Sequence, residues 1–503
     1  MKKLKFPTEK VIEYSIKNFS EGIDAGTDEN IADFDSAVIA YNFEYKNGAL
    51  VESVGFEPVS TPSTFEEGSA ETVASYMMDD DRKKEFVKVS HFKEYNKTYG
   101  LRQDKIIVVN SENRAFFTRA ITRGPIFSEL RLMQPTALPK MKNYTNGTDD
   151  VIVFFNDADR VYSFDNQEAP IHYPDVPAIT DFCEHKNRVF AILSGERLSI
   201  RTQEENLLDW TDKLTNSTVV IKLDSERGCI NKLIAFNGYL FAIRDFGITR
   251  INWYGSTYDL THLLCSGSRM YADTACVCGN TGLVLCKDGI YQFDNTSAQK
   301  LDLKLNRLLV GVSNQYAVAS FRNGVYYLAC KLNFGDNKVV GCEANKTCKN
   351  NALIMLDTQT NQYSICRGVD IVDLCTLQYA SADKLLACFN GDYSNNIGQL
   401  TTDGLIFGKT QPKYWCSPTT DLGFADKIKS VKEISLLSLY DITISVFSEN
   451  ECRSFDVKGS NVISRIPVRV KGKQIGLSIT SIQNKAYVSN LKIKVGLLDN
   501  EYV

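Results

Sequence analysis

The sequence predicts an all-β protein: an irregular β-propeller of six to eight blades, followed by a C-terminal antiparallel β-sandwich and preceded by a short, partly helical segment. Three observations carry this. The 503-residue chain is rich in aromatic residues, with 24 Tyr and 27 Phe, which favour strands over helices. One hairpin pattern recurs through the middle of the chain. The last stretch then changes to strict apolar–polar alternation.

The recurring unit is a polar turn, four to six apolar or aromatic residues, a second turn and an alternating strand. It begins at Lys105 (IIVV, then AFFTRA), Asp150 (VIVFF, then VYSFD) and Asn187 (RVFAI, then LSIRT). It continues at Gly238 (YLFAI, then ITRINW), Gly282 (LVLC, then IYQFD), Gly324 (VYYLAC, then ALIMLD) and Lys384 (LLACFN, then IGQL). Asn237-Gly238, Asp288-Gly289 and Asn323-Gly324 are turn residues that tolerate positive φ. The starts lie roughly 37 to 60 residues apart, the period of a propeller blade with insertions. A blade cannot bury both faces alone, so neighbours must stack around an axis. Two consecutive β-sandwiches also give frequent strands. The likeness between the hairpins favours the propeller.

The flanks differ. Residues 1–90 hold a helical candidate at Glu9–Asn18, a strand-like Ala37–Lys46, the turn Asn47-Gly48 and a loose stretch with Asp79-Asp80-Asp81 followed by Arg82-Lys83-Lys84. That run reads as a mixed-charge solvated loop. Beyond Trp415, the segments from Ile434, Ile466 and Leu491 alternate with period two, as half-buried antiparallel strands do. The expected division is therefore 1–90 as N-terminal segment and lead into the propeller, 91–412 as propeller, and 413–503 as sandwich.

Composition narrows the function classes. With 43% hydrophobic and 23% charged residues the chain is ordinary globular material. The basic start has no apolar run behind it, because Glu9, Lys10, Glu13 and Lys17 interrupt it, and no stretch has the length of a membrane span. Synthesis in a cytoplasm without a cleaved signal is the expectation. The formal charge of −4 disfavours tight wrapping of nucleic acid through its phosphates. Fourteen cysteines are diluted along the chain, and Cys286, Cys330 and Cys388 sit in apolar runs as small buried hydrophobes.

No motif with catalytic chemistry stands out. The four histidines, His91, His172, His185 and His262, do not pair at metal spacing, and Cys276-x-Cys278 is too tight for a zinc knuckle. Cys342 and Cys348, in an insertion at Lys331–Asn351, read as loop thiols. Walker, Rossmann and Gly-x-Ser-x-Gly patterns are missing. Carboxylates from separate blades leave a glycosidase pair in an axial funnel open, although the Ser-x-Asp-x-Gly-x-Thr-Trp box of sialidases is absent. The expectation is no metal, no cofactor and no enzyme.

Three stretches together resemble a family of tailed-phage virion proteins. Asn42 with Gly48-Ala49-Leu50, then Gly55-Phe56, is similar to the segment that leads into the propeller of short-tail phage proteins. Glu52 and Ser53 stand where that family commonly carries arginine. The blades without WD, kelch or Asp-box signatures are the second stretch. Trp415-x-Ser417, Thr420 to Phe424 with Gly423, Lys427 and Lys429, and Arg465 to Lys473 with Gly472 resemble the closing module. The family includes tail tubular protein B (the nozzle) and packaged-DNA stabilisation proteins, and the resemblance spans nearly the whole chain. It implies a structural virion protein of a tail or neck, assembled in the host cytoplasm. It further implies a self-associated ring, sixfold, against portal or adaptor proteins and tail fibre or other tail proteins. Genomic DNA would pass through the lumen without tight binding. Six copies would carry about −24 charges, which suits a wall that does not grip DNA. None of the named residues would be catalytic. A carbohydrate-active propeller enzyme and a monomeric interaction scaffold remain the rival readings.

Overall fold

A computed structural model describes residues 10–16, 19, 22–24, 33–59, 85–93, 95–96, 101–102, 105–118, 127–130, 135–146, 149–165, 170–204, 207–208, 219–377, 383–394 and 396–499. The Asp79–Lys84 run lies outside them. Among the described residues no helix is long and apolar enough to cross a membrane.

The central strand pairs form where apolar residues are continuous. Lys105–Asn110, Arg188–Leu193 and Ile192's neighbours in the next blade, Tyr239–Arg244, are buried almost from end to end. Such strands need a sheet on both faces, and stacked blades supply it. Seven sheets follow one another, antiparallel except where Leu405–Ile406 joins Gly55–Pro58 in the last, and each of the seven sequence hairpins forms the second and third strands of one sheet. Blade 1 is Phe86–Phe92, Lys105–Asn110, Ala115–Thr118 and Phe127–Glu129. Blades 2 to 6 begin at Lys140–Asn146, Ile179–His185, Ile230–Phe236, Met270–Cys278 and Val318–Arg322, with four strands each. Blade 7 begins at Ile371–Leu377 and continues through Lys384–Phe389 and Ile397–Thr401. Its first strand packs against that of blade 1, which closes the circle. The propeller therefore has seven blades, within the expected six to eight.

The closing strand comes from the other end of the chain. Gly55–Pro58 pairs antiparallel with Ile397–Thr401, Phe56 opposite Leu400, and so supplies the fourth strand of blade 7. The ring is thereby fastened by two segments more than 330 residues apart.

The sandwich is built from both chain ends. One sheet runs Phe43–Lys46, Ala49–Glu52, Tyr487–Asp499, Lys427–Ser438, Ser464–Gly472, with Lys10–Ile16 also paired to Tyr487–Asp499. The other runs Ile39–Tyr41, Lys413–Cys416, Ile475–Ser481, Ile442–Ser448, Cys452–Val457. Val431, Ile434, Ile444, Val446, Leu477, Ile479, Ile493 and Val495 fill the space between them, and the same apolar cluster continues into blades 5 and 6. Pro467 lies in the edge strand Ser464–Gly472, opposite a register shift at Glu433, where its missing N–H is harmless.

Two expectations need revision. Lys10–Ile16, inside the expected helix, is a strand. Ile12, Tyr14 and Ile16 turn inward at every second position, and the segment completes a sheet with residues 491–497. The boundary at 90/91 is also crossed, whereas the sandwich strands of the C-terminal part do begin at Lys413. Residues 10–16 and 39–52 belong to the sandwich, Gly55–Pro58 belongs to blade 7, and blade 1 starts at Phe86. Pairing between chain ends has no local signature, so a division by composition cut through it.

Candidate functional site: the propeller throat and its sandwich junction

The first strand of each blade borders the axis, and here a second repeat appears. In blades 1, 3, 4 and 7 the pairing with the next strand shifts register between an apolar residue and a charged one two positions on. The pairs are Phe86/Lys88, Ile179/Asp181, Ile230/Lys232 and Ile371/Asp373. A β-bulge of this kind bends the strand and re-aims the side chain. Each bulge delivers its charge into an axial cavity of about 220 Å³ lined by Lys88, Lys140, Lys142, Lys232, Asp181, Asp273 and Asp373 among others.

These charges join blade to blade. Asp373 of blade 7 accepts the Val89 N–H of blade 1 at 2.9 Å and meets the Lys88 ammonium at 3.3 Å. Asp181 of blade 3 accepts the Leu233 N–H of blade 4 at 2.8 Å and meets Lys142 of blade 2 at 2.7 Å. The two aspartates thus make the same contact one residue after the charged bulge position of the following blade. Lysines work in the same direction: Lys142 donates to the Phe182 carbonyl at 2.7 Å, and Lys232 to the Ala275 carbonyl at 2.8 Å. Uncharged links continue the circle, with Tyr326 donating to the Thr274 carbonyl and Ser320 within 2.8 Å of Thr376.

The electrostatics follow from this crowding. Burial pushes the Asp373 carboxyl up, and Lys88 and the Val89 N–H only partly offset it. At Asp273 burial acts in the same sense but is outweighed by Lys140, Lys88, Lys232 and Lys142, so its carboxyl is held low. Asp273 lies 3.9 Å from the Lys140 ammonium, and the other three lysines act on it across the cavity. Chemically, the throat is a latch whose carboxylates are occupied by ammonium groups and backbone donors. Among the described residues no group of three or more His, Cys, Asp or Glu is arranged to hold a metal ion. The sequence reading passed over these positions because they lie outside the seven hairpins. The apolar-x-charged-apolar step at the start of blades 1, 3, 4 and 7 is the signal that marks their bulge charges.

The residues that carried the family resemblance gather elsewhere, at the seam between propeller and sandwich. Asn42 is 3% exposed, with φ of 61°, a left-handed conformation that asparagine tolerates. Its amide donates to the Pro412 carbonyl at 2.8 Å and the Arg367 carbonyl at 3.3 Å, and its side-chain oxygen accepts the Arg367 N–H at 2.8 Å. Arg367, the end of blade 6, is itself buried. It forks onto Asp336 and Glu343 of the 331–351 insertion and lies over Tyr41 and Phe334. Gly48 takes φ of 77° in the Asn47-Gly48 turn, which leads into the buried Ala49 and Leu50. A Cβ on Gly55 would fall on the Leu405 carbonyl. Phe56 packs edge-on against Phe389 in blade 7 at 5.1 Å.

At the far end of the sequence, Trp415 is fully buried and edge-on to Phe19 at 5.3 Å. Its strand pairs Tyr414 with Tyr41 and Trp415 with Ala40. Gly423 turns the chain with φ of 77°, and a Cβ on Gly472 would meet Ser448. Lys429, wholly buried, donates to the carbonyls of Lys427, Lys473 and Phe424, and burial lowers its ammonium pKa. The structure thus brings Asn42, Ala49, Leu50 and Trp415 into the sandwich and its seam. Gly55 and Phe56 lie apart, at the ring closure.

No protein-family model and no curated protein matches the sequence. Among solved structures the chain is similar to the WD40 domain of Neurospora crassa Pan2, with a TM-score of 0.41 and 8% identity over 66% of this chain and 93% of that one. It is also similar to the extracellular domain of the putative one component system BT4673 from B. thetaiotaomicron, with a TM-score of 0.43 and 11% identity over 86% of this chain and 59% of that one. A third is the N-terminal domain of Nup159, with a TM-score of 0.39 and 8% identity over 69% and 95%. These likenesses concern the β-propeller fold alone.

Proposed function

We propose that the chain is a structural virion protein of a bacteriophage tail or neck, without catalytic activity of its own, that forms a nozzle-like ring retaining packaged DNA and conducting it at ejection. The observation that carries this reading is the meeting of the two segments that resemble phage nozzle proteins. They stand some 370 residues apart in sequence, yet pair strand to strand at Tyr41–Tyr414. Through Asn42 they fix the sandwich to blade 6. A propeller welded to a platform made of both chain ends is a block able to carry load between ring neighbours. The throat supports the same reading, since its carboxylates serve as blade-to-blade contacts.

The ring, sixfold in this proposal, sits against portal or adaptor proteins and bears tail fibre or other tail proteins. Negative-stain imaging of particles from the source, with an antibody to this chain, tests it together with the mass of the purified protein bound to its ring template. Label at the tail vertex and a ring of this chain are expected. A chain that stays off particles, remains a monomer and cleaves members of a glycan panel would sink the proposal.

A further inference from the structure

The insertion between the second and third strands of blade 6 holds two thiols side by side. Cys348 donates its S–H toward Cys342 with the sulfurs 3.3 Å apart. Their backbones are fixed from outside the turn. The Cys342 N–H donates to the Gly368 carbonyl at 3.2 Å, and its neighbour Glu343 is gripped by Arg367. On the other side, Lys349 and Asn350 donate their N–H groups to Asp370, and the Asn350 side chain reaches the Ile371 and Tyr316 carbonyls. Between the thiols the chain makes two successive turns, Asn345 N–H to Cys342 carbonyl and Cys348 N–H to Asn345 carbonyl. Both thiols are partly exposed.

We propose that Cys342 and Cys348 form a modification site, a dithiol that a low-molecular-weight disulfide such as oxidised glutathione converts into an intramolecular bridge. One thiol loses its proton and attacks the glutathione disulfide, forming a mixed disulfide and expelling one glutathione thiolate, which takes up the proton. The second thiol then loses its proton and attacks the protein-bound sulfur, expelling the second glutathione. Two protein thiols are oxidised, one glutathione disulfide is reduced to two thiols, and no other reactant is needed. The sulfurs must approach from van der Waals contact to a bond length of about 2.05 Å. Side-chain rotation in a turn already anchored at both ends supplies that movement. The bridge closes the exposed tip at Asn345, Lys346 and Thr347 into a covalent ring beside the seam.

The experiment treats the intact protein with oxidised glutathione, blocks remaining thiols with an alkylating agent, and digests with trypsin without reductant. Cleavage after Lys338, Lys346 and Lys349 releases residues 339–346 and 347–349 as one linked species, lighter by two hydrogens than the separate peptides. Reduction separates them, and Cys342→Ser abolishes the species. Its rate of formation in the folded protein is expected to exceed that in urea by about tenfold, because the fold holds the sulfurs in register. Equal rates in both states, separate alkylated or glutathione-bearing peptides, or a bridge from Cys348 to any other cysteine would each overturn the proposal.

Discussion

Asp181 accepts the backbone N–H of Leu233 across the boundary between blades 3 and 4. Its other oxygen meets the Lys142 ammonium of blade 2, so one carboxylate holds three blades. Asp373 repeats the N–H contact between blades 7 and 1. A propeller has no central core, and the inner rim is where first strands converge with little apolar volume to share. Charged latches at bulges let these strands approach without leaving backbone donors unpaired.

Asp181→Ala should therefore cost about 2 to 3 kcal/mol, since it strands the buried Leu233 N–H and takes the carboxylate from a Lys142 ammonium left with the Phe182 carbonyl. The double variant Asp181→Ala with Lys142→Met should recover part of that loss. Urea unfolding of the four proteins of this cycle measures the coupling. An Asp181→Ala midpoint equal to that of the wild type would remove the latch reading.

Asn42 does for the seam what Asp181 does for the rim. Replacing it with alanine deletes three side-chain hydrogen bonds and leaves left-handed backbone to a residue without asparagine's tolerance of it, for about 3 kcal/mol in all. Asn42→Gly relieves the second cost only and should fall between alanine and the wild type. Thermal unfolding ranks the three proteins. A glycine variant less stable than the alanine variant would show that backbone conformation is not part of the cost.

What was legible in the sequence followed burial. The seven middle hairpins announce themselves because strands such as Lys105–Asn110 are apolar on both faces, and in three of them an Asn-Gly or Asp-Gly turn (Asn237-Gly238, Asp288-Gly289, Asn323-Gly324) bounds the run. The outer strands are short and wet, as in Ile171–Tyr173, and give no such signal. First strands carry Lys or Asp at their bulges, which interrupts the alternation that marks a strand. Lys10–Ile16 read as a helix because Val11 and Ile12 are adjacent and charges follow at helical spacing. Only its partner strand, at residues 491–497, reveals the period of two. Likewise nothing near Asn42 in sequence points to Pro412 or Arg367; those contacts exist only once the ring has closed.

The closure itself is sensitive at Gly55. Alanine there would drive its methyl group into the Leu405 carbonyl, and backbone cannot yield as a side-chain tip can. Gly55→Ala should cost about 3 kcal/mol or more. It should act locally, raising amide exchange in Ile397–Thr401, the strand that Gly55–Pro58 covers, before exchange rises in blades 3 and 4. Uniform acceleration across all seven blades would mean that the fourth strand of blade 7 does not open by itself.

His185 supplies a pH dependence with a defined sign. It ends the first strand of blade 3, is 8% exposed, and has a buried Nε2 without a hydrogen-bond partner. Burial, with Lys186 adding to it, pushes its pKa from 6.5 down to about 4. Between those values the unfolded chain binds a proton that the folded chain refuses, so stability is full above pH 6.5 and falls as pH drops towards 4. The loss should be about 1 to 2 kcal/mol after solvent screening at this rim position. Phenylalanine fits the aromatic contact with Phe190, whose ring lies 6.0 Å away, and carries no ionisable group. His185→Phe should thus match or exceed the wild type at pH 7 and flatten the decline between pH 6.5 and 4. Urea midpoints at several pH values read this directly. An unchanged slope in the variant would assign the acid sensitivity to other groups.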